Sequence, residues 1–450
     1  MSPLTIILAG VCNRSSYQKP DMKILASADL HLGKQSSNVS KSLSESSVKF
    51  TWERIVAYAV EEQVDALLLA GDVVDRDNRF FEAIGPLQQG FDTLDNAGIS
   101  VVMVSGNHDF DVLPDIIRNR EYNHVHLLGE KGEWEAKMIE TRSGKLQVLG
   151  WSFPKQHIME DPLLQLSIQN LDLDPNLPTV GLLHGDLYDR KSHYAPTDFT
   201  GFPAGVPHAW VIGHIHKPDI VRAHDPLVLY PGSPQALSAK EPGIHGASLL
   251  SFDGRTVRSE QVPLSPVRYE PLSVDVTGIE HQTDFRNLVL EQMRNYVLAN
   301  VMKLENVSHM ICDIMLTGRH PSVTDLDKWS QFADELEQQV EAETVVSVRK
   351  MINLAEPVVD NLEELAKQPT PPGMIAKLIL DLESGDSTEF SEELMMDLKD
   401  QISSANRSGT YQPLSRFDEQ IPDSDESARD ILLKESRQLL GELLSQKENA

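Results

Sequence analysis

The chain has 450 residues, 40% of them hydrophobic, too many for one ordinary core, so two or three domains are expected. Its formal net charge of −28 excludes a surface generally coated for DNA, and no apolar run reaches the length of a membrane span. Residues 331–450 hold 26 acidic and 11 basic side chains, more than half of the excess, so any nucleic-acid contact must be local to the chemistry.

Residues 3–12 are apolar but short, and no basic residue precedes them as a secretion signal requires. Residues 1–21 therefore read as a disordered N-terminal extension. Two cysteines, Cys12 and Cys312, offer neither a disulfide framework nor a Cys-based zinc site, and the cytoplasm is the expected compartment. Met22–Ala28 reads as a strand ending in Asp29-Leu30-His31, followed by a loop with seven serines between Ser36 and Ser47. Val48, Trp52, Ile55, Val56, Ala59 and Val60 fall at helical spacing. The five apolar residues Ala66–Ala70 read as a buried strand that breaks at Gly71, leaving Asp72 at its carboxyl end. A helix over Phe80–Ala97, ended near Gly98, leads to a strand at Val101–Val104 that stops at Ser105-Gly106-Asn107-His108-Asp109. This alternation is the signature of a sheet covered on both faces. Residues 110–175 are less regular, with a strand near Val148–Trp151. Thr179–Leu183 leads into His184-Gly185-Asp186, and Ala209–Ile212 into Gly213-His214-Ile215-His216. Strands at Leu227–Tyr230 and Ala247–Phe252 flank Pro231-Gly232-Ser233-Pro234.

Beyond Pro266 the pattern predicts a compact β-α-β-α-β unit, with strands at Leu272–Val276, His309–Leu316 and Thr344–Val348 and helices over 284–301 and 325–340. The expected division is a front domain over 22–266, a small α/β cap over 267–355 and an acidic helical tail over 356–450. Pro369-Thr370-Pro371-Pro372-Gly373 reads as a linker or hinge, and residues 403–425 as a flexible polar stretch. Asp423 and Glu426 offer a capping box for a last helix. The apolar stripe of that helix, Ala428, Ile431, Leu432, Leu439, Leu440, Leu443 and Leu444, cannot be buried by one helix alone. It could dock on a partner, fold back on the cap or dimerise.

Each of these His and Asp pairs is weak alone; His124-Val125-His126 follows no buried strand and reads as a structural or surface pair. The force lies in order and context, because five sets of Asp, His and Asn each follow a strand. In open α/β sheets, ligands bind at the carboxyl ends of strands. Residues i and i+2 of a strand point the same way, so Asp29 and His31 can reach one ion. Imidazole with carboxylate and amide oxygen suits manganese, iron or zinc. Two ions ~3.5–4 Å apart can clamp both oxygens of a phosphoryl displacement, and need a bridging anion. Asp72 is placed to be that bridge, and His108 to donate a proton to the leaving oxygen.

In this order, Asp-x-His, Gly-Asp, Gly-Asn-His-Asp, His and Gly-His-x-His resemble the calcineurin-like metallophosphoesterases. Gly71-Asp72-Val73-Val74-Asp75-Arg76, His184-Gly185-Asp186, His214-Ile215-His216-Lys217-Pro218 and Tyr230-Pro231-Gly232-Ser233-Pro234 are similar to the SbcD-type DNA repair exonuclease branch, especially its YhaO-like members. The likeness covers about 22–255 well, extends to Leu316-Thr317-Gly318-Arg319 in the cap, and fades over the tail. It implies an α/β fold, a metallophosphoesterase β-sandwich flanked by helices. It implies one ion held by Asp29, His31, Asp72 and His216, a second held by Asp72, Asn107, His184 and His214, and His108 as a non-ligand acid. It further implies manganese as the metal, DNA phosphodiesters as substrate, an SbcC-like coiled-coil ATPase as partner, and a homodimer. Eukaryotic and archaeal relatives carry His three residues after the bridging Asp; this chain has Asp75, as bacterial members often do. No Gly-Lys-Ser/Thr phosphate loop is present, so any ATP dependence belongs to a partner.

Lys34, Arg76, Arg79, Arg190, Lys191, His193 and Lys217 lie in loops beside the motifs and could hold DNA phosphates, or be ordinary solvated charge. Trp52 and Trp210 read as core residues rather than base-stacking platforms. A phosphodiesterase or phosphatase acting on another substrate, and a non-catalytic scaffold for the ATPase, are the competing functions.

Overall fold

The computed structural model describes residues 22–39, 44–75, 83–254, 256–339, 344–358, 361–385, 388–407 and 424–448. The expected extension at 1–21 and most of the expected flexible stretch at 403–425 lie outside these residues.

Two six-stranded sheets carry the front of the molecule. The first runs, in spatial order, 256–263, 246–253, 22–27, 66–70, 100–104 and 125–127. The second runs 135–141, 144–151, 179–184, 209–213, 227–230 and 219–222. The four strands from Met22–Ser27 to Val125–Leu127 are mutually parallel, as are 144–151, 179–184, 209–213 and 227–230. Parallel pairing brings the carboxyl ends of neighbouring strands to one edge, and that alignment positions the site.

The unbroken apolar runs follow from two-sided burial. Alternate residues face opposite ways along a strand. Ile24, Ala26, Leu68, Val102 and Val104 pack between the sheets against Val148, Val180, Leu182 and Val211. Their neighbours Leu25, Leu67, Leu69, Val101 and Met103 pack outward against helices Val48–Glu61 and Ile84–Asn96. On the far side, Leu149, Trp210, Ile212 and Val228 meet Leu163 and Phe202. Trp52 and Trp210 are both fully buried, the core positions expected of them.

Several readings of the front half change. Val125–Leu127 is itself a strand, pairing with Val101–Met103, and His124 is held by Asp95 through both its main chain and its ring. The irregular stretch after 110 contains an antiparallel hairpin, 135–141 with 144–151. The helix expected over Phe80–Ala97 is described from Ile84 to Asn96.

A separate apolar core lies beneath a four-stranded sheet in the order 267–275, 309–317, 345–353, 337–339. Helices Gln282–Ala299 and Val323–Ser330 cover it through Phe285, Val289, Met293 and Leu326. The helix expected over 325–340 stops at Ser330, and Glu337–Gln339 forms an edge strand antiparallel to 345–353. Ala333 and Leu336 reach the same core from a short 3-10 turn, Ala333–Glu335, and the edge strand follows directly. Glu356-Pro357 pairs with Arg319-His320, so these two residues belong with this unit and not with the tail.

The tail begins with Leu362–Ala366 and three longer helices, Pro371–Ser384, Glu389–Arg407 and Asp425–Glu448. The expected hinge at Pro369–Gly373 is instead a helix start: Thr370 accepts from the Gly373 amide, and Pro371 takes the first turn, where its missing N–H is not needed. Ser424 caps the last helix through the Ser427 amide, whereas Asp423 lies outside the described residues. The apolar stripe folds back on its own chain. Ala428 and Leu440 are fully buried, and Leu440 packs on Ala376 and Ile379. Arg437 pairs with Glu383 and with Glu356 of the preceding unit. Leu439 remains 45% exposed, so the fold-back covers only part of the stripe.

Truncating Leu440 to Ala should remove about 2–5 kcal/mol from this helical packing. Limited proteolysis should then cut faster within helices Pro371–Ser384 and Asp425–Glu448, with the two front sheets as resistant as before.

Candidate metal centre

The loops after strands Met22–Ser27 and Ala66–Ala70 run side by side. The amide of Asp29 donates to Gly71 O, that of His31 to Asp72 O and that of Leu32 to Val73 O, at 2.9–3.0 Å. Asp29, His31, Asp72 and His214 all hold left-handed backbone conformations, with φ of 51°, 48°, 51° and 95°. Non-glycine residues enter that region at a cost of ~1–3 kcal/mol each, and such strain clusters at functional sites. Gly71 shows why no side chain fits beside them: a Cβ there would lie 2.5 Å from His184 Nδ1, at a φ of +85°. At Gly106 a Cβ would lie 2.2 Å from Asp72 Oδ1.

The five strand ends converge. His31 Nε2 lies 3.2 Å from His216 Nε2, and Asp29 stands with them as a close set. His184 Nε2 lies 3.2 Å from Asn107 Oδ1 and 3.4 Å from Asp72 Oδ2, with Asp29 beside them. The His214 ring is 5.4 Å from that of His184, and its amide donates to both oxygens of Asp29 at 3.0 Å. Asp72 stands between the groups, 3.8 Å from His31 Nε2 on one side and 3.4 Å from His184 Nε2 on the other. The His108 amide donates to Asp72 Oδ1 at 2.8 Å, and its half-buried ring meets His31 edge-on at 5.0 Å.

Two facing Nε2 atoms can share one proton as an N–H···N bond, and with both lone pairs turned inward the same pair would ligate a cation. His184 rests its Nδ1 on the carbonyl of Ala70 at 2.9 Å, so that nitrogen donates and Nε2 is turned towards Asn107 and Asp72. The donor set, imidazole nitrogen with carboxylate and amide oxygen and no thiolate, fits divalent metal ions.

Electrostatics support the same picture. Burial pushes His184 down, but Asp72 and then Asp29 outweigh it and hold the ring up at about 9. Burial would raise Asp72, yet His184, His31 and His108 hold it below the usual carboxylate range. Burial raises Asp29 against the pull of His184 and His216. His216 is lowered by burial but raised on balance by its hydrogen bond to Glu241 and by Asp29. Burial and the Asp72 charge push Asp109 up to about 7. Burial pulls the His108 ring below its ordinary value, against Asp72; an anionic phosphate against that ring would favour its protonated form.

The rim is less cationic than its sequence suggests. Lys34 reaches the buried Asp75 at 2.7 Å, and Arg190 pairs with Asp198 at 2.9 Å. Lys191, Lys217 and His193 are exposed beside the site. Arg76 and Arg79 lie outside the described residues.

The calcineurin-like phosphoesterase family matches residues 22–218, the segment that carries Asp29, His31, Asp72, Asn107, His108, His184, His214 and His216. The chain belongs to this family. It is 30% identical over 279 residues to the uncharacterized metallophosphoesterase YhaO of Bacillus subtilis, covering 60% of this chain and 67% of that phosphoesterase. It is 24% identical over 259 residues to the SbcD component of the nuclease SbcCD of the same organism, covering 49% and 64%. It is 27% identical over 289 residues to the DNA double-strand break repair protein Mre11 of Methanopyrus kandleri, covering 60% and 62%. The chain thus spans about two thirds of the length of these curated phosphoesterase and nuclease relatives.

Three carboxylates support this phosphoesterase site without having been assigned from the sequence. Asp109 accepts from the amides of Gly106 and Val73, both at 2.7 Å, and so ties two site loops together. Asp186 accepts from Tyr188 and Asp189 amides and stands 3.8 Å from His214 Nε2. Glu241 meets His216 Nδ1 at 2.8 Å. Asp109 and Asp186 sit inside the recognised motifs, so adjacency to a ligand was their signal; Glu241 follows no motif and had none.

Asp109, Asp29, His184 and His216 all bind protons more tightly in the folded, metal-free site than in an unfolded chain. Stability from a raised pKa is full below the unfolded value and is lost as pH rises through the folded one. For Asp109 the loss runs from about 3.8 to about 7, and for His184 from about 6.5 to about 9. The chelated protein should therefore melt at a lower temperature at pH 9 than at pH 6. Added Mn²⁺, which takes the place of those protons, should raise the melting temperature more at pH 9.

Proposed function

We propose that this chain is a metal-dependent DNA nuclease, an exonuclease or endonuclease of DNA repair, that works in the cytoplasm with an SbcC-like coiled-coil ATPase. The observation that carries the reading is the approach of His31 Nε2 to His216 Nε2 at 3.2 Å, with Asp29 in the same set and Asp72 between it and His184. Asp29, His31, Asp72 and His216 would hold one divalent ion, and Asp72, Asn107, His184 and His214 the other. Manganese is the metal that suits this donor set in this reading. When bound, the two ions would supply Lewis-acid stabilisation at the attacking and leaving oxygens of a phosphodiester.

The chain's own residues do the rest. Asp72, between His31 and His184, would offer its carboxylate to both ion sites. His108 holds a proton against the leaving oxygen, next to the site but outside the ligand set. Lys191, Lys217 and His193 are exposed where a DNA backbone would pass, while Lys34 and Arg190 would first have to leave their carboxylates. The SbcD and Mre11 likenesses, to a nuclease subunit and a DNA double-strand break repair protein, support DNA as substrate and a further subunit as partner. The ATPase and a homodimer belong to the same reading. No helix among the described residues is long and apolar enough to cross a membrane.

A second reading, a phosphodiesterase or phosphatase acting on another substrate, is favoured by the net charge of −28 and by the pairing of rim cations with carboxylates. A nuclease assay across linear, hairpin and single-stranded DNA with Mn²⁺, with and without the ATPase, separates the two. Release of nucleotides is expected. No release, with continued hydrolysis of bis(p-nitrophenyl) phosphate, would establish the second reading.

Asp72→Ala should lose both ions by elemental analysis and all measurable cleavage. His108→Ala should keep stoichiometric metal and lose about 10²–10⁴-fold in rate, the usual scale for a general acid. Loss of metal from the His108 variant would show that residue to be a ligand instead.

A further inference from the structure

Behind the two histidines whose Nε2 atoms meet, two carboxylates occupy equivalent places. His216 Nδ1 lies 2.8 Å from Glu241 Oε1, and the other oxygen of Glu241 accepts from the Leu237 amide at 2.7 Å, which fixes the carboxylate plane. His31 Nδ1 is buried and makes no hydrogen bond, with Asp75 Oδ2 standing 3.5 Å away. Asp75 is itself buried, and Lys34 Nζ sits 2.7 Å from the same oxygen. A carboxylate behind a ligating imidazole fixes its tautomer and ring orientation and makes its other nitrogen a stronger donor.

The neighbouring set is built differently. His184 Nδ1 rests on a neutral carbonyl, Ala70 O, at 2.9 Å. His214 has Asp186 at 3.8 Å from Nε2. Its oxygen ligands would be the shared Asp72 and the neutral Asn107, whereas the first set adds the carboxylate of Asp29 to Asp72.

We propose that Glu241, bonded to His216 Nδ1, and Asp75, the carboxylate standing behind His31 Nδ1, are positioning residues, so that the ion site made by Asp29, His31, Asp72 and His216 fills before its neighbour. This rests on the two-ion reading above. The two residues enter from distant segments, Asp75 three residues after Asp72 and Glu241 from the loop after Pro231-Gly232-Ser233-Pro234. That loop is tied to the strand 267–275 by the Gly243 amide, which donates to Tyr269 O at 3.0 Å. The first-filled site is therefore supported from both the front unit and the cap side.

The test is a Mn²⁺ titration of the full-length, chelator-stripped protein by calorimetry, with the electron paramagnetic resonance spectrum of bound Mn²⁺ followed in parallel. The wild type should bind two ions in two resolved events. Glu241→Ala should weaken the tighter event about 10–100-fold, the usual cost of losing such a partner, and leave the weaker event in place. Glu241→Gln keeps an oxygen in reach but loses the charge, and should fall between. Asp75→Asn should weaken the same tighter event. An unchanged looser event, with two ions still bound at saturation, separates positioning from general support of the fold. Unchanged titrations in Glu241→Gln and Asp75→Asn would overturn the proposal, as would equal weakening of both events or weakening of the looser one alone. A wild type that binds no Mn²⁺ would instead remove the two-ion reading itself.

Discussion

Five carboxylates, Asp29, Asp72, Asp75, Asp109 and Asp186, are buried together where the strand ends of two sheets meet. Unpaired, any one of them would cost several kcal/mol to take out of water. Everything local to the site answers that cost. Asp109 is satisfied by amides of Gly106 and Val73, Asp75 by Lys34, and Asp186 by amides of Tyr188 and Asp189. Asp29 and Asp72 face the imidazoles of His216, His31 and His184. His184 and His216 in turn hold a proton more firmly than free histidine does. The cluster offers a donor set that fits a divalent cation, and the neighbouring Asp72 and Asp29 hold the His184 ring above its ordinary value.

The sandwich makes such a cluster tolerable. Parallel strands buried on both faces leave little freedom to their carboxyl ends, so the loops that follow are held by paired amides and carbonyls rather than by their own propensity. His184 bonds Ala70 O across the two sheets, and His214 bonds Asp29 through its main chain. Left-handed backbone at four of the key residues is the local cost of aiming their side chains inward. The four-stranded unit after Pro266 contributes from outside. Tyr269 donates to Ser37 O and Arg54 to Asn306 O at 2.6 Å, so the serine-rich loop and the helix Val48–Glu61 are fastened to the second unit. The serines between 36 and 47 are thus partly structural: Ser36 reaches Ala236 O and Gln235, linking the first site loop to the segment that leads to Glu241.

Charge distribution separates chemistry from recognition. The front unit concentrates its buried acids on the metal side, and the cations that sequence alone would offer to a phosphate backbone are partly occupied by carboxylates. Lys34 is the clearest case, since its proximity to His31 in sequence reflects support for the centre through Asp75 more directly than contact with substrate. The acidic tail keeps its apolar stripe largely to itself, with Leu440 on Ala376 and Ile379 and Leu439 left outward.

The sequence by itself determined which residue types stand at the strand ends, and in what order. Asp29, His31, Asp72, Asn107, His108, His184, His214 and His216 were legible because each follows an apolar run long enough to be a buried strand. It also determined the change of architecture after Pro266. Only the tertiary structure decided what depends on contacts between distant segments. The helix expected past Ser330 yields to an edge strand, because pairing with 345–353 buries Leu336 equally well. Pro369–Gly373 caps a helix instead of opening a hinge, because the helix after it has Ile379 and Leu440 to pack together. Glu241 reaches His216 across 25 residues of chain, and Asp75 stands behind His31 across 44. Such support is a matter of distance in space, and one-dimensional spacing carries no record of it.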